Sequence, residues 1–177
     1  MKRRIHISAL LAATAIAVAG CGGGGGKATT ADIPAGPSPS APPPPKASTN
    51  LKDTKTKPAV PKQKGAPPKK LVVKDIVAGK GRPAKKGDRL TMQYVGVTYA
   101  DGNEFDSSWD KGQPFKFQLG KGSVIKGWDQ GLVGIKPGGR RELLIPSKLA
   151  YGARGQPPSI PPNAALVFIV DALSVGK

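Results

Sequence analysis

The stretch Val124-Ile125-Lys126-Gly127-Trp128-Asp129-Gln130-Gly131-Leu132 is where apolar residues recur at helical spacing in this 177-residue chain. Val124, Trp128 and Leu132 follow one another every four residues, so they share one face of a helix. The glycines within the stretch lower the intrinsic stability of that helix. The pattern therefore predicts a short helix that packs closely against another element.

The sequence on both sides of this helix alternates between apolar and polar residues, as strands with one buried face do. Leu90, Met92 and Tyr94 point to one face of such a strand, and Asp101-Gly102 is a turn signal typical of hairpins. Strands are predicted at residues 71–77, 88–99, 104–106, 115–119, 141–145 and 165–173. Several antiparallel strands and one short helix predict an α+β fold, with a sheet wrapped over the helix.

Residues 1–20 have the pattern of a secretory signal peptide that is cleaved from the mature protein. Lys2-Arg3-Arg4 precedes an apolar stretch at 5–19, which is shorter than the roughly 18 residues of a membrane-spanning helix. The stretch ends in Val18-Ala19-Gly20-Cys21, which resembles a bacterial lipobox. That resemblance implies lipidation of Cys21 by diacylglyceryl and palmitate groups, and hence a lipoprotein on the extracytoplasmic face of a bacterial membrane. A buried structural cysteine is the alternative, but five glycines follow Cys21 directly.

Residues 21–70 are predicted to be a disordered tether that begins at the lipidated Cys21. Glycine fills positions 22–26, and eleven of the 19 prolines lie between residues 31 and 70. Large apolar residues occur only singly, so the segment cannot bury enough surface to offset its chain entropy. Its lysines keep such a linker solvated. Binding of the lysines to anionic lipid or cell-wall polymer is the alternative.

The composition excludes several kinds of chemistry. The chain has 28 Lys and Arg against 11 Asp and Glu, but the resulting charge of +17 is spread over the signal, the tether and residues 71–177. No nucleic-acid recognition motif accompanies it, so no nucleic-acid partner is expected. His6 is the single histidine and Cys21 the single cysteine. Zinc, Cys/His and Ser/His sites are therefore not expected in residues 71–177, and neither is a metal or another cofactor.

A series of motifs in residues 71–177 follow one another in a recognisable order and spacing. They are Gln93-Tyr94-Val95-Gly96, Gly102-Asn103-Glu104-Phe105-Asp106-Ser107-Ser108, Pro114-Phe115-Lys116-Phe117, Val124-Ile125-Lys126-Gly127-Trp128-Asp129, Leu149-Ala150-Tyr151-Gly152, Ile160-Pro161-Pro162-Asn163-Ala164 and Leu166-Val167-Phe168. This series resembles the FKBP-type peptidyl-prolyl cis-trans isomerases. The resemblance covers essentially all of residues 71–177 and implies a five- to six-stranded antiparallel half-barrel around one short helix.

The resemblance also implies a hydrophobic pocket that holds a proline ring, with Trp128 as its floor. The implied catalytic residues are Tyr94, Phe105, Asp106, Trp128, Tyr151 and Phe168, and the implied substrate-binding residues are Phe115, Val124, Ile125 and Ile160. Among these, Asp106 and the Tyr151 hydroxyl are implied to be polar groups at the rim, and the Ile125 N–H to be a donor to the bound carbonyl. An arginine often stands in the family where this chain has Lys111.

Together with the lipobox-like motif, the family resemblance implies a monomeric, lipid-anchored isomerase that acts on X-Pro bonds of secreted or envelope proteins. The resemblance implies that macrolides such as rapamycin bind in the same pocket. Two other functions stay open. The domain could be a non-enzymatic chaperone or docking module that binds proline-containing segments, or the lysine-rich tether could make the protein a cell-wall adhesin.

Overall fold

The structure, a computed structural model, describes residues 46–177. Within them the chain forms six strands, one α-helix and two 3₁₀ turns. The strands are β1 (Val72–Val77), β2 (Arg89–Thr98), β3 (Glu104–Ser107), β4 (Phe115–Gln118), β5 (Arg140–Ile145) and β6 (Leu166–Gly176); the helix is α1 (Lys126–Gly131), and the 3₁₀ turns are Ser147–Leu149 and Gly152–Arg154. The predicted signal peptide, Cys21 and the first part of the predicted tether lie outside the described residues.

The six strands form one antiparallel sheet, in which five strands are neighbours in the order β1-β5-β6-β2-β3 and β4 also pairs with β2. β2 is the strand on which the sheet is organised, because it pairs with β6 over its whole length. On its other edge β2 pairs with β4 at Arg89–Met92 and with β3 at Val95–Val97. The predicted α+β fold, with an antiparallel sheet and one short helix, is confirmed.

Helix α1 packs so closely against β5 that its glycines are required. A Cβ on Gly127 would lie 2.5 Å from Cγ2 of Ile145, and one on Gly131 would lie 2.7 Å from Cδ2 of Leu143. Real Cβ atoms essentially never make contacts this short. The close packing predicted from the sequence is therefore present, and it brings Trp128 into the core with only 4% of its surface exposed.

Alternate residues of the sheet face two different apolar clusters. The larger cluster lies between the sheet and α1 and includes Leu90, Met92 and Leu143. The smaller cluster comprises Val95, Val97, Tyr99, Ala165 and Val167, with Val60 packed against it. Since Leu90 and Met92 alternate with Val95 and Val97 along β2, the two clusters occupy opposite faces of the sheet.

Residues 46–70, which we call the strap, cover part of the second face of the sheet. Their order differs from the disorder that was predicted for the tether, residues 21–70. The Arg140 guanidinium donates to the carbonyl oxygens of Leu51 (3.2 Å) and Thr56 (3.1 Å). The Tyr99 hydroxyl donates to the carbonyl oxygen of Ala66 at 3.2 Å. The scarcity of apolar residues predicted disorder, but polar groups of the sheet hold this segment instead. Among residues 46–177, no helix has the length and apolarity needed to cross a bilayer.

We predict that Gly127→Ala lowers the free energy of unfolding by about 1–3 kcal/mol, because the added methyl group would overlap the Ile145 side chain. Urea denaturation of the full-length chain measures this. Gly176→Ala is the matched control, since its Cβ would meet only the Arg89 carbonyl oxygen, at 3.8 Å. Equal stability of the two variants would contradict the close contact between α1 and β5.

Candidate active site

A cavity of about 280 Å³ opens beside α1, between the helix and the edge of the sheet formed by β3 and β4. Most of its lining is aromatic or aliphatic, and the polar groups among its lining residues are few. The lining residues are Tyr94, Phe105, Asp106, Lys111, Phe115, Ser123, Val124, Ile125, Trp128, Tyr151 and Phe168. A mostly apolar concavity with a few polar groups is the usual form of a binding site for a small apolar group.

Trp128 is the centre of the aromatic packing in this cavity. Its ring lies 5.2 Å from that of Tyr94 and 5.3 Å from that of Phe168, centroid to centroid, and both pairs are edge-to-face. Phe115 and Phe117 follow at 6.1 Å and 5.7 Å. Edge-to-face pairs are favourable arrangements of aromatic quadrupoles, so the rings hold one another in place.

Gly96 of β2 makes room for one wall of the cavity. A Cβ at this position would lie 2.6 Å from Phe168 and 2.8 Å from Phe105. These two rings pack edge-to-face with centroids 5.5 Å apart. The missing side chain of Gly96 thus allows both rings to stand against the backbone of β2.

The structure brings together all the predicted catalytic and substrate-binding residues except Ile160. Ile160 is 2% exposed and belongs to the core between the sheet and α1, and it does not line the cavity. Reciprocal backbone hydrogen bonds with Gln156, of 2.8 and 2.9 Å, fix its position in the loop before β6. The prediction placed Ile160 in the pocket wall, whereas its side chain packs into the core.

Lys111 and Ser123 line the cavity and were not among the predicted site residues. Lys111 carried a signal, because it stands three residues before the Pro114-Phe115 motif and five after Asp106. Ser123 immediately precedes the apolar helix pattern, but a serine in a glycine-rich stretch gives no sign of its environment.

The polar groups of the cavity form a chain of contacts centred on Asp106. The Tyr94 hydroxyl donates to Oδ2 of Asp106 at 2.6 Å, and Nζ of Lys111 lies 2.5 Å from Oδ1. Burial, and then the hydrogen bond to Asp106 and its charge, raise the pKa of Tyr94. Burial and the charge of Asp106 likewise raise the pKa of Tyr151. Both phenols therefore remain neutral hydrogen-bond donors over the physiological pH range.

The lining offers a binding environment rather than groups for bond-making chemistry. Asp106 is engaged by Tyr94 and Lys111, and no histidine or cysteine stands in the described part of the chain to activate Ser123. No group of three or more potential metal ligands occurs within residues 46–177. What the cavity can do is hold an apolar ring against an indole and exclude water from an adjacent polar bond.

The comparison with known proteins decides the family. A family model described as FKBP-type peptidyl-prolyl cis-trans isomerase matches residues 80–173. The chain belongs to this family. The FK506-binding protein of Streptomyces anulatus is 50% identical over 120 residues, which cover 67% of this chain and 97% of that protein.

Two further relatives agree with this FKBP-type assignment. The human peptidyl-prolyl cis-trans isomerase FKBP2 is 56% identical over 94 residues, which cover 53% of this chain and 66% of that protein. The crystal structure of AtFKBP13 matches with a TM-score of 0.55 and 40% identity, covering 59% of this chain and 91% of that one. The FKBP-type match at residues 80–173 spans every cavity-lining residue and excludes the strap.

We predict that Asp106→Ala lowers the isomerase kcat/KM by about tenfold or more, because the Tyr94 hydroxyl loses its acceptor and Lys111 is left unpaired at the cavity. Stability should change by only about 1 kcal/mol, since the ion pair is partly exposed. A peptide isomerisation assay and thermal unfolding measure the two effects.

Asp75→Ala is the matched control for Asp106→Ala. It also breaks a carboxylate–cation pair, with Arg141 at 2.5 Å, but Asp75 lies outside the cavity. Wild-type activity in Asp106→Ala, or equal losses in the two variants, would refute a role for Asp106 in the site.

Proposed function

We propose that this FKBP-type isomerase rotates X-Pro bonds in the cavity floored by Trp128. The observation that carries the proposal is an aromatic enclosure of about 280 Å³ with Asp106 and Tyr151 among its few polar groups. A proline ring is small, apolar and saturated, so it fits against an indole within such an enclosure. The neighbouring amide then lies among the polar groups of the lining.

The chemistry of rotation suits an apolar cavity without a nucleophile. Rotation about a peptide bond faces a barrier of about 18–20 kcal/mol, because resonance stiffens the C–N bond. The twisted transition state has lost that resonance, and its carbonyl is therefore less polar and depends less on water. A dry cavity binds the twisted amide better than the planar one, which lowers the barrier without any covalent step.

Each group of lining residues has a distinct part in this proposal. Trp128, Phe115 and Phe168 hold the proline ring and limit unproductive poses. The Ile125 N–H donates to the bound carbonyl, and the Tyr151 hydroxyl is a second polar group at the rim. Asp106 keeps the Tyr94 hydroxyl oriented and Lys111 neutralised, so that the rim carries no unpaired charge.

We propose further that the isomerase acts outside the cytoplasm, anchored by lipid on Cys21. The cationic and apolar pattern of residues 1–20 and the lipobox-like residues 18–21 support this location. The substrates are then secreted or envelope polypeptides whose folding waits for slow X-Pro isomerisation. Macrolide binding is part of the proposal, because relatives such as the Streptomyces anulatus protein carry the name FK506-binding protein.

We predict that the full-length chain accelerates cis-trans isomerisation of a short X-Pro peptide and that rapamycin abolishes the acceleration. Trp128→Phe should lower kcat/KM while keeping most of the packing, whereas Trp128→Ala should also cost about 3–5 kcal/mol of stability. A protease-coupled peptide assay and thermal unfolding provide the measurements. Saturable rapamycin binding without acceleration would instead assign the cavity to a docking module.

We predict that Cys21→Ser moves the protein from the membrane fraction to the soluble fraction of a bacterial expression host, because serine cannot carry the thioether-linked lipid. Fractionation followed by immunoblotting measures this. The peptide activity of the released protein should equal that of wild type, since Cys21 lies outside the isomerase domain. Retention of the variant in membranes would reject the lipid anchor and leave the isomerase proposal unaffected.

A further inference from the structure

Lys57 of the strap is the one buried lysine among residues 46–177. Its side chain is only 9% exposed, although lysine is among the residues least often buried. Burial of an ammonium group is unfavourable unless the charge is paired. The position of Lys57 therefore requires partners, and the partners come from the isomerase domain.

Two carboxylates share the Lys57 ammonium group. Nζ lies 2.8 Å from Oε1 of Glu104 and 2.6 Å from Oδ2 of Asp110. Burial opposes the charge of Lys57, but the hydrogen bonds to Asp110 and Glu104 overcome this effect and raise its pKa. The hydrogen bond from Lys57 lowers the pKa of Asp110, whereas burial raises the pKa of Glu104.

Glu104 and Asp110 bracket the segment that forms one wall of the cavity. Phe105 and Asp106 lie between them in sequence, and Lys111 follows directly; all three line the cavity. Lys57 thus joins the two ends of the wall segment from outside the cavity.

The strap holds Lys57 in place through its own backbone. The carbonyl oxygen of Lys57 accepts a hydrogen bond from the N–H of Ser48 at 2.7 Å. The carbonyl oxygen of the preceding Thr56 accepts from Arg140, whose guanidinium is fully buried and binds both carboxylate oxygens of Asp171 in the sheet. The backbone that carries Lys57 is therefore held against β5 and β6 and is not a free chain end.

We propose that Lys57 is a positioning residue for the isomerase site: it clamps Glu104 and Asp110 and thereby fixes the placement of Phe105 and Asp106. The proposal rests on the cavity being the site of isomerisation. Without the ammonium group, two carboxylates that now contact one nitrogen are left facing each other. Their repulsion separates the ends of the wall segment and displaces the groups between them.

We predict that Lys57→Met in the full-length chain lowers kcat/KM for an X-Pro peptide at pH 8 by roughly tenfold to a hundredfold, the range for a small misplacement of site groups. Lys55→Met is the matched control, because it makes the same change at an exposed lysine two residues earlier. The control should keep wild-type activity.

Two readouts separate positioning from a general loss of stability. Adding Glu104→Gln to Lys57→Met removes the repulsion and should restore most of the activity. Lowering the pH from 8 to 5 should reduce the difference in kcat/KM between Lys57→Met and wild type. The reason is that protonation of Glu104 or Asp110 also removes the repulsion between the two carboxylates. The other charged groups of the segment, Asp106 and Lys111, pair with each other and are present in both proteins.

The outcomes are distinguishable from those of the proposed function. An inactive wild-type chain refutes the proposed function itself. Wild-type activity in Lys57→Met, or a loss that neither Glu104→Gln nor acid relieves, overturns the clamp. Should Lys57→Met alone not fold, the double variant decides: folding with restored activity supports the clamp, and failure to fold overturns it.

Discussion

The close contact between α1 and β5 is the constraint on which the rest of the molecule depends. Two glycines allow the helix backbone to lie directly on the sheet: Gly127 contacts Ile145, and Gly131 contacts Leu143. Trp128 stands between these glycines in sequence, so the same approach that seats the helix presses the indole into the ring cluster. A bulkier residue at either glycine would lift the floor of the cavity together with the helix.

The sequence predicted most of the fold because its patterns are local. Alternation along β2 and helical spacing around Trp128 are properties of consecutive residues, and the structure confirms the strand and a short helix. The helix is shorter than the predicted pattern, because Ile125 is extended and Val124 therefore precedes the first turn. The motif order also placed most of the cavity lining. Ile160 was assigned to the wall of the cavity, but it packs in the core. Its backbone hydrogen bonds with Gln156 determine the direction of its side chain, and the local sequence does not show this pairing. Ser123 was not predicted to line the cavity, because the residues next to it in sequence give no indication of a cavity.

The order of the strap differs most from the prediction, and the difference has a physical cause. Disorder was inferred from the lack of apolar residues in the strap. That inference considers only the apolar surface that a segment can bury with its own side chains. The order of the strap depends on groups far along the chain: Arg140 binds its carbonyls, and Glu104 and Asp110 bind Lys57. In the sequence, each of these charged residues has the pattern of an ordinary surface charge. Their pairing becomes visible only in the folded sheet.

The strap also limits how far the isomerase domain could lie from the lipid that we propose on Cys21. Were the free chain to run from Cys21 to residue 70, its contour length would reach about 170 Å at full extension. Because Ser48 is the first residue of the strap with a hydrogen bond to the packed chain, the chain from Cys21 to that point spans about 90 Å at full extension. If the proposed lipid is attached to Cys21, this chain length is an upper limit on the distance between the bilayer and the first packed residue of the strap.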